Sequence, residues 1–268
     1  MMIDWKQVDR NAQDWIREAG ERIRRALSQD FDIFTKSNKN DLVTNIDRET
    51  ERFFVNKIRQ TYPGHQIVGE EGFGDDPAEL GGVIWVVDPI DGTMNFVHQK
   101  RNFAISVAVF ENGAGRLAYI YDVVRDELYH AVKGEGAYFN HRPLPKLTER
   151  PVEEAILGIN PTWLVKDSPD VKECIIPMVK KMRGTRSIGS AAIEIGYVAA
   201  GWLDAYISLK LSPWDFAAGM IIVEELGGKA TKLTGEPLSI LEKSSVFLAK
   251  PGLHEKLLET FLATYQGI

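Results

Sequence analysis

The run Ile84-Trp85-Val86-Val87 leads straight into Asp88, within a stretch from Gln60 to Gln99 that contains no Lys or Arg. Four large apolar residues in a row, without alternation, imply a strand covered on both faces. Such a strand needs a layer on either side, which excludes a sheet with one wet face at this point. A carboxylate at the end of a buried strand needs a partner, because desolvating a charge costs several kcal/mol. No basic side chain is near in sequence, so the partner is a distant Lys or Arg, or a cation. Asp88-Pro89-Ile90-Asp91 makes a tight turn that can aim two carboxylates and a carbonyl at one point. Hard divalent cations take such oxygens, and Mg²⁺ adds waters and substrate phosphate. Gly92-Thr93 follows at once. Glycine lets the backbone approach an anion, and Met94-Asn95-Phe96 reads as the start of a helix, whose free N–H groups bind phosphate. Taken alone, Asp91 also reads as a helix N-cap. Asp75, Asp76 and Glu79 read as a solvated acidic loop.

The surrounding pattern mixes both periodicities. Trp5, Val8, Ala12, Trp15, Ile16, Ala19, Ile23 and Leu27 recur at three- and four-residue steps and predict an amphipathic helix. Residues 31–36 read as a short strand and 37–41 as a polar loop. A second helix carries Phe53, Phe54 and Ile58 and ends at Tyr62-Pro63-Gly64. Strands are expected at 65–70 and 83–88, with 72–82 a loop between them. Residues 103–110, 117–123, 128–132 and 137–140 predict an antiparallel meander. The second half predicts strands at 155–159, 205–209, 229–233 and 245–249. It predicts helices at 170–183, 190–200, 214–226 and from 253. The mixture implies an α+β layering. One domain over 1–268 is expected, with halves of approximately 1–145 and 146–268 meeting near Pro143 to Pro151.

Composition excludes several classes. Lys and Arg number 32 against 38 Asp and Glu, a net charge of −6, so no nucleic-acid partner is expected. The single cysteine, Cys174, excludes an internal disulfide framework and a Cys-cluster zinc site. His65, His98, His130, His141 and His254 are scattered without metal spacing and read as surface or hydrogen-bonded residues. Asp4, Lys6, Asp9 and Arg10 interrupt any secretory h-region, and apolar runs such as 83–87 are too short to span a bilayer. A cytoplasmic protein without a membrane partner is expected.

The segment Trp85-Val86-Val87-Asp88-Pro89-Ile90-Asp91-Gly92-Thr93-Met94-Asn95-Phe96 resembles the signature of the inositol monophosphatase family. Three further segments match in order: Asp41-Leu42-Val43-Thr44-Asn45-Ile46-Asp47, Gly69-Glu70-Glu71, and Trp214-Asp215-Phe216-Ala217-Ala218-Gly219. The resemblance runs over nearly the whole chain. It implies a layered αβαβα sandwich of the sugar-phosphatase type, a homodimer, and Mg²⁺-dependent, lithium-sensitive phosphomonoester hydrolysis, with inositol monophosphate as the substrate. Carried over by position, Glu70, Asp88 and the Ile90 carbonyl would hold a first Mg²⁺. Asp88, Asp91 and Asp215 would hold a second, and Glu70 would touch a weaker third. Gly92 and Thr93 would supply phosphate-binding N–H groups. Asp47 and the Thr93 hydroxyl would orient and help deprotonate the attacking water, with Glu70 beside them. Thr44-x-x-Asp47 is also a helix capping pattern. Glu71 would support the ligands without being one. Gly189-Ser190-Ala191 would line the substrate pocket with Ser208 and Asp215, and Ser190 also reads as an N-cap.

The chain departs from the family pattern at Ser208. Animal members carry there an acid, seven positions before the Asp of the Trp-Asp motif, that holds inositol hydroxyls. Lys210 stands two residues on, and strand alternation from Ser208 would turn it inward. A second anionic group then becomes acceptable, as in fructose 1,6-bisphosphate or the 2′-phosphate of NADP. As a strand-end residue, Lys210 equally reads as a surface charge. An alternative reading, also implied by the resemblance, is an RNA-polymerase-associated or RNA-processing factor with residual phosphatase activity. The intact acids with Gly92 and Thr93 favour the enzyme. Gly184-Thr185-Arg186-Ser187-Ile188-Gly189-Ser190 has Walker-like glycines, but Ser190 stands where a P-loop needs Lys. Trp202, Trp214 and Phe216 are expected in the core.

Overall fold

The computed structural model of the chain describes residues 3–29, 31–35 and 42–267. Helix α1 (Trp5–Ala26) buries Val8, Ala12, Trp15, Ile16, Ala19 and Ile23, the expected stripe. Asp4 caps it by accepting from the Gln7 N–H at 3.1 Å, and Arg24 and Arg25 complement the negative end of its dipole. Strands β1 (Ile33–Thr35) and β2 (Leu42–Thr44) pair antiparallel and lead into α2 (Asn45–Thr61). The polar loop expected at 37–41 lies outside the described residues, and β2 was not foreseen.

The first large sheet follows the chain in order: β3 (Gln66–Gly69), β4 (Val83–Asp91), then, after helix α3 (Thr93–Gln99), β5 (Ala104–Glu111), β6 (Ala114–Asp122), β7 (Glu127–Val132), β8 (Gly136–Phe139) and β9 (Arg142–Pro143). Only β3 and β4 run parallel, so the predicted meander is the body of the sheet. All nine residues of β4 are buried. Val83, Trp85 and Val87 pack towards α1 and α2, while Ile84 and Val86 face the opposite core. The strand extends past Asp88 to Asp91 through an irregularity, because Pro89 has no N–H for the ladder.

The second sheet forms from the later chain. Its elements are β10 (Ile156–Ile159), α4 (Ile176–Lys181), β11 (Gly184–Arg186), α5 (Ala191–Ala199), β12 (Ala205–Leu211), α6 (Pro213–Glu225), β13 (Lys229–Thr231), β14 (Ser244–Ala249) and α7 (Leu253–Leu257). The strands stand in the order β11-β10-β12-β14-β13. Three cores define the layers. One joins α1 and α2 to the outer face of the first sheet. A second sandwiches α5 and α6 between the two sheets. A third covers the far face of the second sheet with α7 and the segment around Cys174. The result is the expected αβαβα stack.

Two local expectations need correction, and one short strand was not foreseen. The helix expected at 170–183 is a π-helical turn, Val171–Ile175, followed by α4; Pro177 cannot donate into a regular ladder there. Residues 184–186 form an edge strand, too short to show a period. Trp202 is 51% exposed, not core. It sits just after α5 and packs edge-on against Phe139 and Tyr197, while Phe216 is fully buried.

Candidate active site

Asp88, Asp91 and Asp215 converge although they come from opposite halves of the chain. One carboxylate oxygen of each lies within 4.8 Å of the other two. Asp88 is 1% exposed, at the end of the regular part of β4, where its Oδ1 accepts the Ile90 N–H at 3.0 Å. This bond folds the turn so that Asp88 and Asp91 point the same way. Asp91 accepts the Ser190 hydroxyl and the Ala192 N–H, at 2.8 Å for the latter, and so fastens the turn to the first residues of α5. Asp215 caps α6 by accepting the Ser212 N–H at 2.8 Å.

Among the described residues, no Lys or Arg makes an ion pair with any of the three. Burial raises all of them above the ordinary carboxylate range, Asp91 to about 6 and Asp215 to about 8. Asp88 is raised too, by burial and then by Glu70, Asp91 and Asp215. Glu70, immediately after β3 and half-buried, adds its charge to the whole group. Asp88, Asp91 and Asp215, mutually repelling and with no ion pair among the described residues, form a donor set that fits hard divalent cations.

Asp47 stands next to this cluster. It closes the capping box of α2, its Oδ2 accepting the Thr44 N–H at 2.9 Å and the Thr44 hydroxyl. Its Oδ1 lies 3.1 Å from the Thr93 Oγ1, which is also 3.1 Å from the Ile90 carbonyl oxygen. The two readings of Asp47 therefore coexist: one oxygen holds the helix and the other faces Thr93. Burial raises Asp47 to about 6 against the opposing Thr44 bonds.

Gly92 has φ +95° as the N-cap of α3. A Cβ there would also lie 3.2 Å from the Ser190 Cβ and 3.3 Å from the Gly189 carbonyl oxygen, so both the turn and the crossing segment require glycine. The Gly189–Ala191 segment lines a cavity of about 220 Å³ together with Asp91, Ser208 and Asp215. Gly189, Ser190, Ala191, Ser208 and Asp215 thus share one cavity with Asp91, whereas Gly92 and Thr93 do not line it. Ser208 is 3% exposed, and its hydroxyl turns back to the Lys210 carbonyl at 3.3 Å. Strict alternation fails beyond it, because the β12–β14 register shifts between Ser208 and Leu211. Lys210 is exposed but reaches the cavity rim.

Several positioning residues escaped the sequence reading. Glu51, on α2 and fully buried, accepts the Glu71 N–H at 2.6 Å and the Phe73 N–H at 2.9 Å, fixing the segment that carries Glu70 and Glu71. Glu71 itself stands 3.9 Å from Arg48. Asn95 donates to the Asn102 and Ile188 carbonyls at 2.8 and 2.9 Å, tying α3 to the pocket-lining segment. Glu194 lines the same cavity from α5. The one available signal was a polar residue at a buried helical position, as with Glu194 between Ile193 and Ile195.

The inositol monophosphatase family model matches residues 4–265. An inositol-1-monophosphatase of Bacillus subtilis (strain 168) is 54% identical over 97% of this chain and 98% of its own. A crystal structure of inositol monophosphatase II from Staphylococcus aureus MSSA476 is 45% identical, with a TM-score of 0.88 over 96% of this chain and 95% of that one. An IMPase/NADP phosphatase complexed with Mg²⁺ and phosphate is 28% identical, with a TM-score of 0.89 over 99% of this chain and 98% of that one.

Proposed function

The chain belongs to the inositol monophosphatase family of phosphoric monoester hydrolases, and we propose that it hydrolyses inositol monophosphate with two Mg²⁺ ions held by its acidic cluster. The observation that carries this reading is the convergence of Asp88, Asp91 and Asp215 next to the Asp47–Thr93 pair. Glu70, Asp88 and the Ile90 carbonyl would hold one ion, and Asp88, Asp91 and Asp215 the other, with Glu70 open to a third. Bound there, the cations would activate water, neutralise the phosphate and stabilise the leaving alkoxide.

The chain's own residues do the rest. Gly92 and Thr93 present N–H groups to the phosphate. Asp47 Oδ1 accepts the Thr93 proton, which leaves the Thr93 oxygen free to accept a proton from the attacking water and to set its direction. Ser190, Ala191 and Ser208 shape the cavity for the leaving alcohol. Since the first half supplies Asp88 and Asp91 and the second supplies Asp215 and the Gly189–Ala191 segment, the reading treats residues 1–268 as one unit. The homodimer implied by the family belongs to the same proposal, with sedimentation velocity as its check. A cytoplasmic site of action is part of it too; among the described residues, no helix is long and apolar enough to cross a membrane.

Lys210 favours a second reading of substrate range. A cation at the rim could meet an additional phosphate on a larger leaving group, as the similarity to an IMPase/NADP phosphatase suggests. The test is a panel of inositol 1-phosphate, fructose 1,6-bisphosphate and NADP, read by released phosphate with and without Mg²⁺. Mg²⁺-dependent release from inositol 1-phosphate supports the first reading, and release from either of the others supports the second. No Mg²⁺-dependent release from any of the three overturns both.

A further inference from the structure

Asn95 is buried in the first turn of α3, two residues past Thr93. Both hydrogens of its amide are used, one on the Asn102 carbonyl at 2.8 Å and one on the Ile188 carbonyl at 2.9 Å. Its Oδ1 accepts from the Gln99 Nε2 at 3.0 Å, so every polar atom of the side chain has a partner. The chain of bonds continues outward in one sense. Gln99 Oε1 accepts from the Asn102 Nδ2 at 3.1 Å, and Asn102 Oδ1 accepts from Arg125 at 3.0 Å. Arg125 stands in the exposed turn between β6 and β7, paired with the buried Asp122. Four side chains thus run from the surface to the Ile188 carbonyl, each donating to the next, an arrangement in which hydrogen bonds polarise one another.

The inner end of this chain is the segment that walls the cavity. Ile188 is held from both sides, its carbonyl by Asn95 and its N–H by Glu194 at 2.6 Å. Gly189, at φ +88°, passes so close that a Cβ would lie 3.0 Å from the Asn95 Nδ2. A separate tie runs from Ser190 and Ala192 to Asp91. Asp91 is itself a candidate metal ligand, so that tie would share its carboxylate with an ion. Asn95 is uncharged and belongs to neither candidate ligand set, so its hold on residue 188 needs no ion.

We infer that Asn95, oriented by Gln99, Asn102 and Arg125, is a positioning residue that keeps the Gly189–Ala191 wall in register with the phosphate turn, and so fixes the direction in which the leaving oxygen departs. This rests on the phosphatase reading above and deepens it. The backbone and the side chain of Asn95 serve two parts of the site. Its backbone continues the turn of Gly92 and Thr93 assigned to the phosphate. Its side chain holds the wall assigned to the leaving alcohol, which comes from the other half of the chain. In-line displacement needs the two in register, since a misplacement of about 1 Å can cost roughly a hundredfold in rate. Asn95 touches neither phosphate nor alcohol and acts only through residues 188–191.

The test measures phosphate release from inositol 1-phosphate and, separately, the binding of inorganic phosphate in Mg²⁺ by isothermal titration calorimetry. It compares the wild type with Asn95→Ala, Gln99→Ala and the double variant, each well below its melting transition. Asn95→Ala loses both donations while Gly92 and Thr93 keep their backbone. The expected result is a fall of about tenfold in kcat, with KM and the phosphate dissociation constant within about twofold of the wild type. Gln99 is exposed and reaches the wall through Asn95, so Gln99→Ala should lower kcat by about threefold and add nothing to Asn95→Ala in the double variant. Gln99→Ala decides alone if Asn95→Ala does not fold. Wild-type kcat in the folded variants overturns the assignment. So does a loss of phosphate affinity as large as the loss of kcat, which would leave Asn95 as a brace for α3 itself. Additive losses in the double variant overturn the part given to the chain behind Asn95. A wild-type protein that releases no phosphate fails earlier, at the phosphatase reading on which this assignment rests.

Discussion

Glu51→Gln tests whether the segment that carries Glu70 is held from behind. In the native protein one carboxylate takes two backbone N–H groups, from Glu71 at 2.6 Å and Phe73 at 2.9 Å, in a fully buried position. Glutamine retains one acceptor and turns an NH₂ group towards the other N–H. Hydrogen bonds to charged groups contribute roughly 1.5–3 kcal/mol each, and a buried unsatisfied donor costs roughly 1–3 kcal/mol. One bond weakened and one replaced by opposed donors gives a loss of about 2–4 kcal/mol. At the roughly 2–4 °C per kcal/mol of domains somewhat smaller than this one, melting should drop by about 4–16 °C. The second consequence is functional. With its support gone, Glu70 is free to leave the cluster, so the Mg²⁺ concentration needed for half-maximal phosphate release should rise even at temperatures where the variant is fully folded. Thermal melts together with Mg²⁺ titrations of initial rate supply both readouts. A variant that melts lower yet keeps the wild-type Mg²⁺ dependence would refute the link between Glu51 and the placement of Glu70.

Asp88→Asn should abolish turnover while the far-ultraviolet circular dichroism stays native, and near-normal Mg²⁺-dependent activity would sink the assignment of Asp88 as the ligand shared by both ions. Gly92→Ala forces φ +95° on a residue with a Cβ that also meets Ser190 and Gly189; a stability loss of about 1–2 kcal/mol and a larger drop in kcat than in KM are expected, and unaltered kcat would show that the phosphate does not rest on this turn. His254 is buried, stacks on Phe247 with ring centroids 4.3 Å apart, and is lowered to about 4 by burial. The unfolded chain binds its proton near pH 6.5 and the folded one does not, so stability falls as pH drops from 6.5 towards 4, by about 2 kcal/mol at pH 5. Urea titrations at pH 7 and pH 5 should show that loss in the wild type beyond whatever His254→Gln shows; equal losses would mean that His254 does not carry the dependence.

Legibility followed the physical range of each signal. The stripe from Val8 to Ile23 marks α1 because a long helix repeats its pattern many times before it ends. The same holds for the meander, where each strand is long enough to alternate and each reversal carries turn residues such as Asn112-Gly113. Strands of three residues, Leu42–Thr44 and Gly184–Arg186, contain no period at all; pairing with a neighbour makes them strands, and pairing is not written locally. Trp202 misled for a similar reason. Its hydrophobicity argues for burial, but its place just after α5 leaves it on the surface, against Phe139 and Tyr197.

In the site, the residues that needed only composition and spacing were legible: a buried strand ending in acid, no Lys or Arg for a long way on either side, and a glycine in the turn that follows. Asp215 was reached only through the resemblance, since nothing local to Trp214-Asp215 distinguishes a candidate metal ligand from an ordinary capping residue. Glu194 offered only one signal, its polarity between Ile193 and Ile195. At the fifth position from Ser190, it reads as an ordinary first-turn acid, favourable to the helix dipole. Its hold on residues 188 and 189 depends on two N–H groups that reach it only in the folded chain. Cavity walls are built from several elements at once, here the end of β4, the start of α5, β12 and α6, so the leaving-group preference of such a site follows from the assembled wall and not from any one aligned position.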